Sequence, residues 1–204
     1  MNARTLVSFA ALAASSTLAS AGIFSVSGNT TQLGSPPLAC GWGQLPGQNA
    51  FAWNEQQNVF LNIAVDMINN PGNSGAPVAG TVGGNFDSHF IHFDGIPGVI
   101  GAIGTVTFTQ PIAAVIFKAN TLDASDGPAG AVGTAYPTFY PFRGLSVTPP
   151  SFFSISGNTL SFNFQTIVPS NFVDQVRVLT HVVPAPGSAA LLGFAGVLCA
   201  RRRR

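Results

Sequence analysis

Two acid–histidine pairs lie close together in residues 87–94, where Asp87 stands two positions before His89 and His92 stands two positions before Asp94. In a strand, residues two apart share a face and residues three apart lie on opposite faces. The spacing therefore predicts two separate pairs, with the histidines on opposite faces. Either pair could form half of a metal site, but no third ligand stands at a suitable spacing. A hydrogen-bonded pair at a strand end is the simpler interpretation.

Oxygen ligands that suit calcium occur at Asn120, Asp123 and Asp126. Their spacing does not match an EF-hand loop, and Asp and Asn also favour turns because their side chains bond to nearby backbone groups. The sequence therefore predicts no cofactor, with calcium at these three residues as the alternative.

A hydrolase would have to draw its carboxylates from Glu55, Asp87 or Asp94. Glycoside hydrolysis needs two such groups brought together by the fold, and a sequence does not show that distance. The patterns G-x-S-x-G, H-E-x-x-H and the P-loop are absent from the sequence. We therefore expect a protein that is not an enzyme, and hydrolysis is the weaker hypothesis.

Four aromatic residues could stack on sugar rings: Trp42, Trp53, Tyr136 and Tyr140. A carbohydrate-binding module would need at least two of these rings exposed side by side. Packing in the core is the alternative for each of them.

Cys40 is the single cysteine of the central part of the chain, because Cys199 lies near the carboxyl end. An intramolecular disulfide is therefore not expected. A small buried side chain is the simplest role for Cys40, and a reactive thiol or an intermolecular disulfide is the alternative.

The segments that must position these residues are predicted to be strands. Alternating or continuous apolar patterns predict strands in residues 51–67, 86–94, 105–108, 112–117, 145–147, 159–168 and 172–182. Residues 69–84, rich in Gly, Asn and Pro, and residues 120–133, rich in Gly, Asp and Ala, predict loops. No central segment has helical periodicity. The pattern favours an all-β fold, an antiparallel β-sandwich of jelly-roll-like arrangement.

The amino end has the features of a secretory signal peptide. Arg4 precedes an apolar segment, and Ala19 and Ala21 place small residues at the −3 and −1 positions of a cleavage site. We predict a signal helix in residues 1–21, with cleavage between Ala21 and Gly22.

The carboxyl end has three parts in a fixed order. Val183, Pro184, Ala185, Pro186 and Gly187 come first, an apolar segment 188–200 follows, and the chain ends in Arg201, Arg202, Arg203 and Arg204. A helix over the apolar segment would span roughly 20 Å, less than the hydrocarbon core of a bilayer. The arginines would resist crossing the membrane. We therefore predict a short apolar helix that inserts in the membrane transiently.

This tail, residues 184–204 together with Val183, resembles the PEP-CTERM sorting signal of exported bacterial proteins. The family's usual Pro-Glu-Pro is here Pro184-Ala185-Pro186. The resemblance implies a membrane protease of the exosortase type as a partner that processes the tail. It also implies delivery to the cell surface or its polysaccharide matrix.

Residues 22–183 are expected to form one domain of sandwich type. All seven acidic residues of the chain lie there, against the bases Lys118, Arg143 and Arg177. This slightly acidic balance argues against nucleic acid as a partner.

We therefore expect an exported protein of the cell envelope surface or the medium, with a structural or adhesive role. Extracellular polysaccharide is its expected partner. The alternative is a carbohydrate-binding module, followed by an Asp/Glu-dependent hydrolase.

Overall fold

Alternating apolar side chains assemble into two β-sheets in the computed structural model, which describes residues 22–97, 101–146, 150–165 and 171–182. These residues belong to one unit, Ala21–Val183. The strands are β1 (Ile23–Gly28), β2 (Thr30–Gln32), β3 (Pro46–Gly47), β4 (Ala50–Asn54), β5 (Val59–Val65), β6 (Gly72–Asn73), β7 (Gly80–Gly95), β8 (Gly101–Phe108), β9 (Ile112–Ile116), β10 (Arg143–Gly144), β11 (Phe152–Ser156), β12 (Thr159–Gln165) and β13 (Val173–His181). The helix α1 (Ala119–Ala129) lies between β9 and β10.

The five-stranded sheet has the order β1-β8-β12-β11-β6, and all of its pairings are antiparallel. Its side chains alternate between the two faces as the sequence predicts. Leu160, Phe162 and Phe164 of β12 are buried, whereas Ser161 between them is exposed. One face of this sheet therefore lies in the core, and the other faces solvent.

The eight-stranded sheet is built around β7, which pairs with β13, β4 and β5 in antiparallel fashion. β13 lies inside this sheet, with β7 on one side and both β9 and β10 on the other. Three short pairings are parallel: β2 with β4, β3 with β7 and β10 with β13. The sheet is thus mainly antiparallel, with parallel pairings in its short strands.

The main core lies between the two sheets. Phe108, Phe153 and Phe164 come from the five-stranded sheet, and Ile91 and Val176 come from the eight-stranded sheet. Two sheets enclosing an apolar core confirm the predicted all-β sandwich. Apolar side chains that leave water in this way supply about 25 cal/mol for each Å² buried.

The second core lies on the other face of the eight-stranded sheet, where α1 and neighbouring loops cover it. Trp53, Phe90 and Ile116 of the sheet pack with Leu122 and Ala129 of the helix. The middle of the eight-stranded sheet, formed by β13 and the second half of β7, is therefore buried on both faces. This covering layer was not predicted.

Helix α1 corrects the prediction of a loop in residues 120–133. The segment contains Gly127 and Pro128, which lower helical propensity. Contacts from outside the helix compensate. Asp66 Oδ2 accepts hydrogen bonds from the Phe117 N–H at 2.8 Å and the Lys118 N–H at 2.9 Å, which lie directly before the helix. It also accepts from Thr121 Oγ1 in the first turn at 2.6 Å.

Other strand boundaries also differ from the predicted ones. The strand expected in residues 51–67 is divided into β4 and β5 by a turn in which Asn58 has a φ of 53°. The loop expected in residues 69–84 ends early, because β7 begins at Gly80. A strand at 145–147 is replaced by β10 two residues earlier, although residue 147 itself lies outside the described residues.

Candidate functional site

Among the described residues, the largest hydrogen-bonded group of ionisable side chains lies beneath α1, on the outer face of the eight-stranded sheet. Arg177 of β13 forms a bidentate pair with Glu55, from Nε to Oε2 at 2.7 Å and from Nη2 to Oε1 at 3.0 Å. Both side chains are fully buried. Ser88 Oγ donates to Oε2 at 2.6 Å, and the Tyr136 hydroxyl donates to Oε1. Each glutamate oxygen thus has two donors.

A second arginine continues this group toward the helix. Arg143 Nη1 donates to Asp123 Oδ1 at 2.7 Å and to Asp126 Oδ2 at 2.6 Å. Asp126 Oδ1 also accepts from Arg177 Nη2 at 3.2 Å, so it joins the two arginines. We call Glu55, Asp123, Asp126, Arg143 and Arg177 the buried ion cluster. It connects α1 to the sheet below it.

The predicted calcium ligands belong to this cluster. Asp126 directs both oxygens, and Asp123 one oxygen, to guanidinium groups, whereas Asn120 is exposed on α1. Calcium would have to compete with an arginine for these oxygens. Within the described ranges, no group of three or more His, Cys, Asp and Glu side chains is arranged to hold a metal ion.

The three carboxylates proposed for hydrolysis bind different parts of the fold. Glu55 is held by Arg177, Asp87 Oδ1 accepts from the Asn58 N–H at 2.7 Å, and Asp94 Oδ2 accepts from the Gly43 N–H at 2.5 Å. Burial raises the pKa of both aspartates, and these hydrogen bonds oppose the rise. Each group holds a turn or loop in place.

The two histidines lie on opposite faces of β7, as their spacing predicts. His89 faces the core between the sheets, where its ring lies 4.7 Å from that of Phe108. His92 faces the second core, with Nδ1 3.2 Å from Gln175 Nε2. Neither histidine is hydrogen-bonded to an aspartate in the described part of the chain. The predicted Asp–His pairs are therefore wrong.

His89 has two partners that fix its neutral form. Asn54 Oδ1 lies 2.8 Å from Nδ1 and Thr180 Oγ1 lies 3.0 Å from Nε2. Asn54 Oδ1 can only accept, so Nδ1 carries the proton and Nε2 accepts from the threonine. Burial lowers the pKa of His89 from about 6.5 to about 3.

This shift predicts a loss of stability in acid. The unfolded chain binds a proton at His89 below about pH 6.5, whereas the folded chain does not until about pH 3. The contribution of His89 is therefore complete above pH 6.5 and is lost as the pH falls toward 3. Between about pH 7.5 and about pH 5, wild type should lose about 2 kcal/mol more of its free energy of unfolding than His89→Gln. Urea unfolding at both pH values measures this, and equal losses would contradict it.

The predicted sugar-stacking residues separate into buried and exposed rings. Trp53 is 0% exposed and packs on Phe90 with ring centroids 5.1 Å apart, so it cannot stack on a sugar. Tyr136 points inward to Glu55, and burial with the charge of Glu55 raises the pKa of its hydroxyl. Trp42 is 50% exposed, and Tyr140 is half-buried.

Three aromatic rings, one of them exposed, lie in contact around Tyr140. Its ring lies 5.8 Å from that of Phe142, which lies 6.4 Å from that of Phe172. Phe142 is 48% exposed. These two phenylalanines were not among the predicted stacking residues, which were limited to Trp and Tyr. We call Tyr140, Phe142 and Phe172, together with Trp42 in the separate loop between β2 and β3, the loop aromatics.

Cys40 is a buried free thiol, as expected. Burial raises the pKa of its thiol to about 12. Reactions of cysteine proceed through the thiolate, which is scarce at such a pKa.

The folded chain should therefore protect Cys40 from alkylation. In a Cys199→Ser background, we expect iodoacetamide to react at least about 100-fold more slowly with native protein than with unfolded protein. Mass spectrometry of the alkylated chain measures both rates. Similar rates would show that the reactive-thiol alternative is correct.

A cavity of about 450 Å³ opens beside the start of α1. Lys118, Ser146 and Ser151 are among its lining residues. Behind it, Asp174 accepts from Ser151 Oγ at 2.7 Å and from the Ser146 N–H at 2.8 Å. Burial raises the pKa of Asp174 to about 7, against the effect of these bonds. The Asp174 carboxylate therefore holds two lining residues of the cavity, Ser146 and Ser151, in place. The spacing of these residues in the sequence did not predict this arrangement.

Comparison of the chain with protein-family models, curated proteins and solved structures finds no significant match. Of the predicted processing residues, Gly22 begins the described part. Ala21 and Val183 to Gly187 lie outside the described residues, as do Arg201 to Arg204. Among the described residues, no helix has both the length and the apolar character needed to cross a membrane.

Proposed function

We propose that the chain is an exported protein of the cell surface or extracellular matrix, sorted by its tail, with a structural or adhesive role. The export part rests on the signal-peptide pattern and on the order of motif, apolar segment and arginines in residues 183–204. A jelly-roll-like arrangement is the finer description of the sandwich that we infer. Crossings of the chain between the two sheets, from β7 to β8 and on to β9, support it.

The observation that carries the structural or adhesive role is the placement of charge. None of the seven acidic residues, all of which lie in the described part, is exposed. Arg143 and Arg177 are buried as well, and Lys118, at 55% side-chain exposure, is the exposed base of the described residues. Such a surface gives little electrostatic repulsion toward other molecules. It suits lasting contact with an uncharged surrounding matrix.

The intact mass and the cell fraction of the protein from its native host test the sorting step. We expect a mass that begins near Gly22 and ends near Pro184 to Gly187, found in the envelope or the medium. Replacement of Arg201 to Arg204 by alanine should prevent this processing, whereas Lys118→Ala should leave it unchanged. A mass that retains the four arginines, in the membrane fraction, would show an anchor instead.

Carbohydrate binding through the loop aromatics is a second candidate function. The exposed ring of Phe142 beside Tyr140 is the observation that favours it. Sugar rings would contact such aromatic faces through their apolar C–H groups, and nearby polar groups would orient them. Loss of glycan binding in Phe142→Ala, with the fold intact, is the expected result.

A further inference from the structure

The solvent face of the five-stranded sheet carries rows of hydroxyl groups that run across its strands. Strand register places one row across all five strands: Ser27, Thr105, Ser161, Ser154 and Asn73. Four of these five residues carry hydroxyl groups, and the fifth carries an amide. With neighbouring strands about 4.8 Å apart, the row is roughly 19 Å long. We call this surface the hydroxyl face.

A second row lies two residues along the strands. It consists of Ser25, Thr107, Thr159 and Ser156, again in register. Hydroxyls contact each other within the rows, with Ser27 Oγ 2.7 Å from Thr105 Oγ1 and Thr107 Oγ1 3.2 Å from Thr159 Oγ1. Each hydroxyl can both donate and accept, so these contacts leave acceptor capacity toward solvent.

Apolar groups border the rows. Ile103, Asn163 and Phe152 form a third row in the same register, next to the first. Ile103 is 63% exposed and Phe152 is 45% exposed. The hydroxyl face thus combines hydrogen-bonding groups with apolar contacts on one open surface.

Charge is absent from this surface. The strands β1, β6, β8, β11 and β12 contain no Asp, Glu, Lys or Arg at any position. Natural surfaces commonly carry many such residues, since about a quarter of an average sequence is charged. A charged partner would find no counter-charge here. The partner that fits is itself uncharged and rich in hydroxyl groups.

We propose that the hydroxyl face binds a neutral polysaccharide that lies across the strands. The Ser and Thr hydroxyls would exchange hydrogen bonds with sugar hydroxyls, and Ile103 and Phe152 would contact the apolar faces of the rings. This proposal rests on the adhesive role proposed above and names its partner class and its surface. A second copy of the chain is a less suitable partner for the hydroxyl face. Stable protein interfaces bury an apolar centre, which the first and second rows lack.

Binding of the full chain to microcrystalline cellulose tests the proposal, with carboxymethyl cellulose as a charged form of the same polymer. We expect saturable binding to cellulose and weaker binding to the carboxymethylated form. Because no charge takes part, binding to cellulose should change little between about 0.1 M and about 1 M salt, where the screening length falls from about 10 to about 3 Å.

The deciding variant is the double substitution Ser27→Lys and Ser161→Lys. Both residues are exposed and lie two strands apart, so the new charges neither enter the core nor oppose each other directly. Binding to cellulose should fall about tenfold or more. Asn62→Lys with Thr81→Lys is the matched control, which adds two exposed charges on β5 and β7 and should keep affinity within about twofold.

Four results would overturn the proposal. The first is no binding of wild type to cellulose, and the second is equal binding by the Ser27→Lys, Ser161→Lys variant. The third is loss of binding only in the double variant Trp42→Ala, Phe142→Ala, and the fourth is a dimer of the chain that the two lysines abolish. The third would assign binding to the loop aromatics, and the fourth would assign the face to self-association. Failure of export would appear separately, in the cell fraction and intact mass. The two proposals can therefore fail independently.

Discussion

Replacement of Arg177 by methionine should lower the free energy of unfolding by about 3–5 kcal/mol. Arg177 is fully buried and gives both Nε and Nη2 to Glu55. Methionine keeps much of the apolar volume but leaves the glutamate without its counter-charge. The guanidinium also lies 4.9 Å from the ring of Phe90 and 5.1 Å from that of Tyr136, and both contacts would be lost. Urea unfolding followed by tryptophan fluorescence measures the change.

A double variant separates the effect of the unpaired charge on stability from the effect of lost packing at residue 177. Arg177→Met combined with Glu55→Gln removes both charges, so it should recover part of the lost stability because no unpaired charge stays buried. Lys118→Met is the matched control, since Lys118 is exposed and its amino group lies 3.8 Å from Asp66. We expect it to change stability by about 0.5 kcal/mol or less. Equal losses in Arg177→Met and Lys118→Met would contradict a stabilising role of the buried ion cluster.

Replacement of Trp53 by alanine should cost about 3–5 kcal/mol of the free energy of unfolding. Trp53 is the largest fully buried side chain, and it packs on Phe90 and His92 with ring centroids 5.1 and 6.5 Å away. Its removal leaves a cavity between the sheet and the covering layer, and the neighbouring rings can close it only in part. Thermal and urea unfolding measure the loss.

Trp42→Ala is the natural comparison, because the chain contains two tryptophans and only Trp53 is buried. We expect it to change stability by about 0.5 kcal/mol or less. The remaining tryptophan should fluoresce at shorter wavelength in Trp42→Ala than in Trp53→Ala, since an apolar environment shifts indole emission to the blue. A similar cost for both variants would show that the ring of Trp53 is not enclosed.

Strand faces could be predicted from the sequence, because burial on one side imposes a period of two. In β12 the alternation places Leu160, Phe162 and Phe164 in the core, and in β13 it places Val176 and Val178 there. The opposite face of β13 was harder to predict. Gln175 and Arg177 are polar, as residues of a solvent-facing side usually are, yet both are buried because a third layer covers them.

The helix and the buried ion cluster could not be predicted from local patterns. Residues 119–129 lack an apolar stripe, and α1 depends on Asp66 at its start and on Arg143 and Arg177 beneath Asp126. These partners are distant in sequence, so no spacing rule connects them. The same holds for the hydroxyl face, whose rows exist only once the register of five strands is known. In addition, no strand was predicted over β1 or β11, which carry Ser25, Ser27, Ser154 and Ser156.

The position of β13 determines when the eight-stranded sheet can form. Val173–His181 is the last strand of the described residues, yet it lies inside the sheet, against β7 on one side and β9 and β10 on the other. During synthesis, β9 and the second half of β7 cannot complete their pairing until β13 has been made. Contacts between segments this distant in sequence also form slowly. A ribosome would therefore release nearly all of the described chain before the sheet could close. Under the export that we propose, this delay keeps the chain in the extended form that a narrow translocation channel admits.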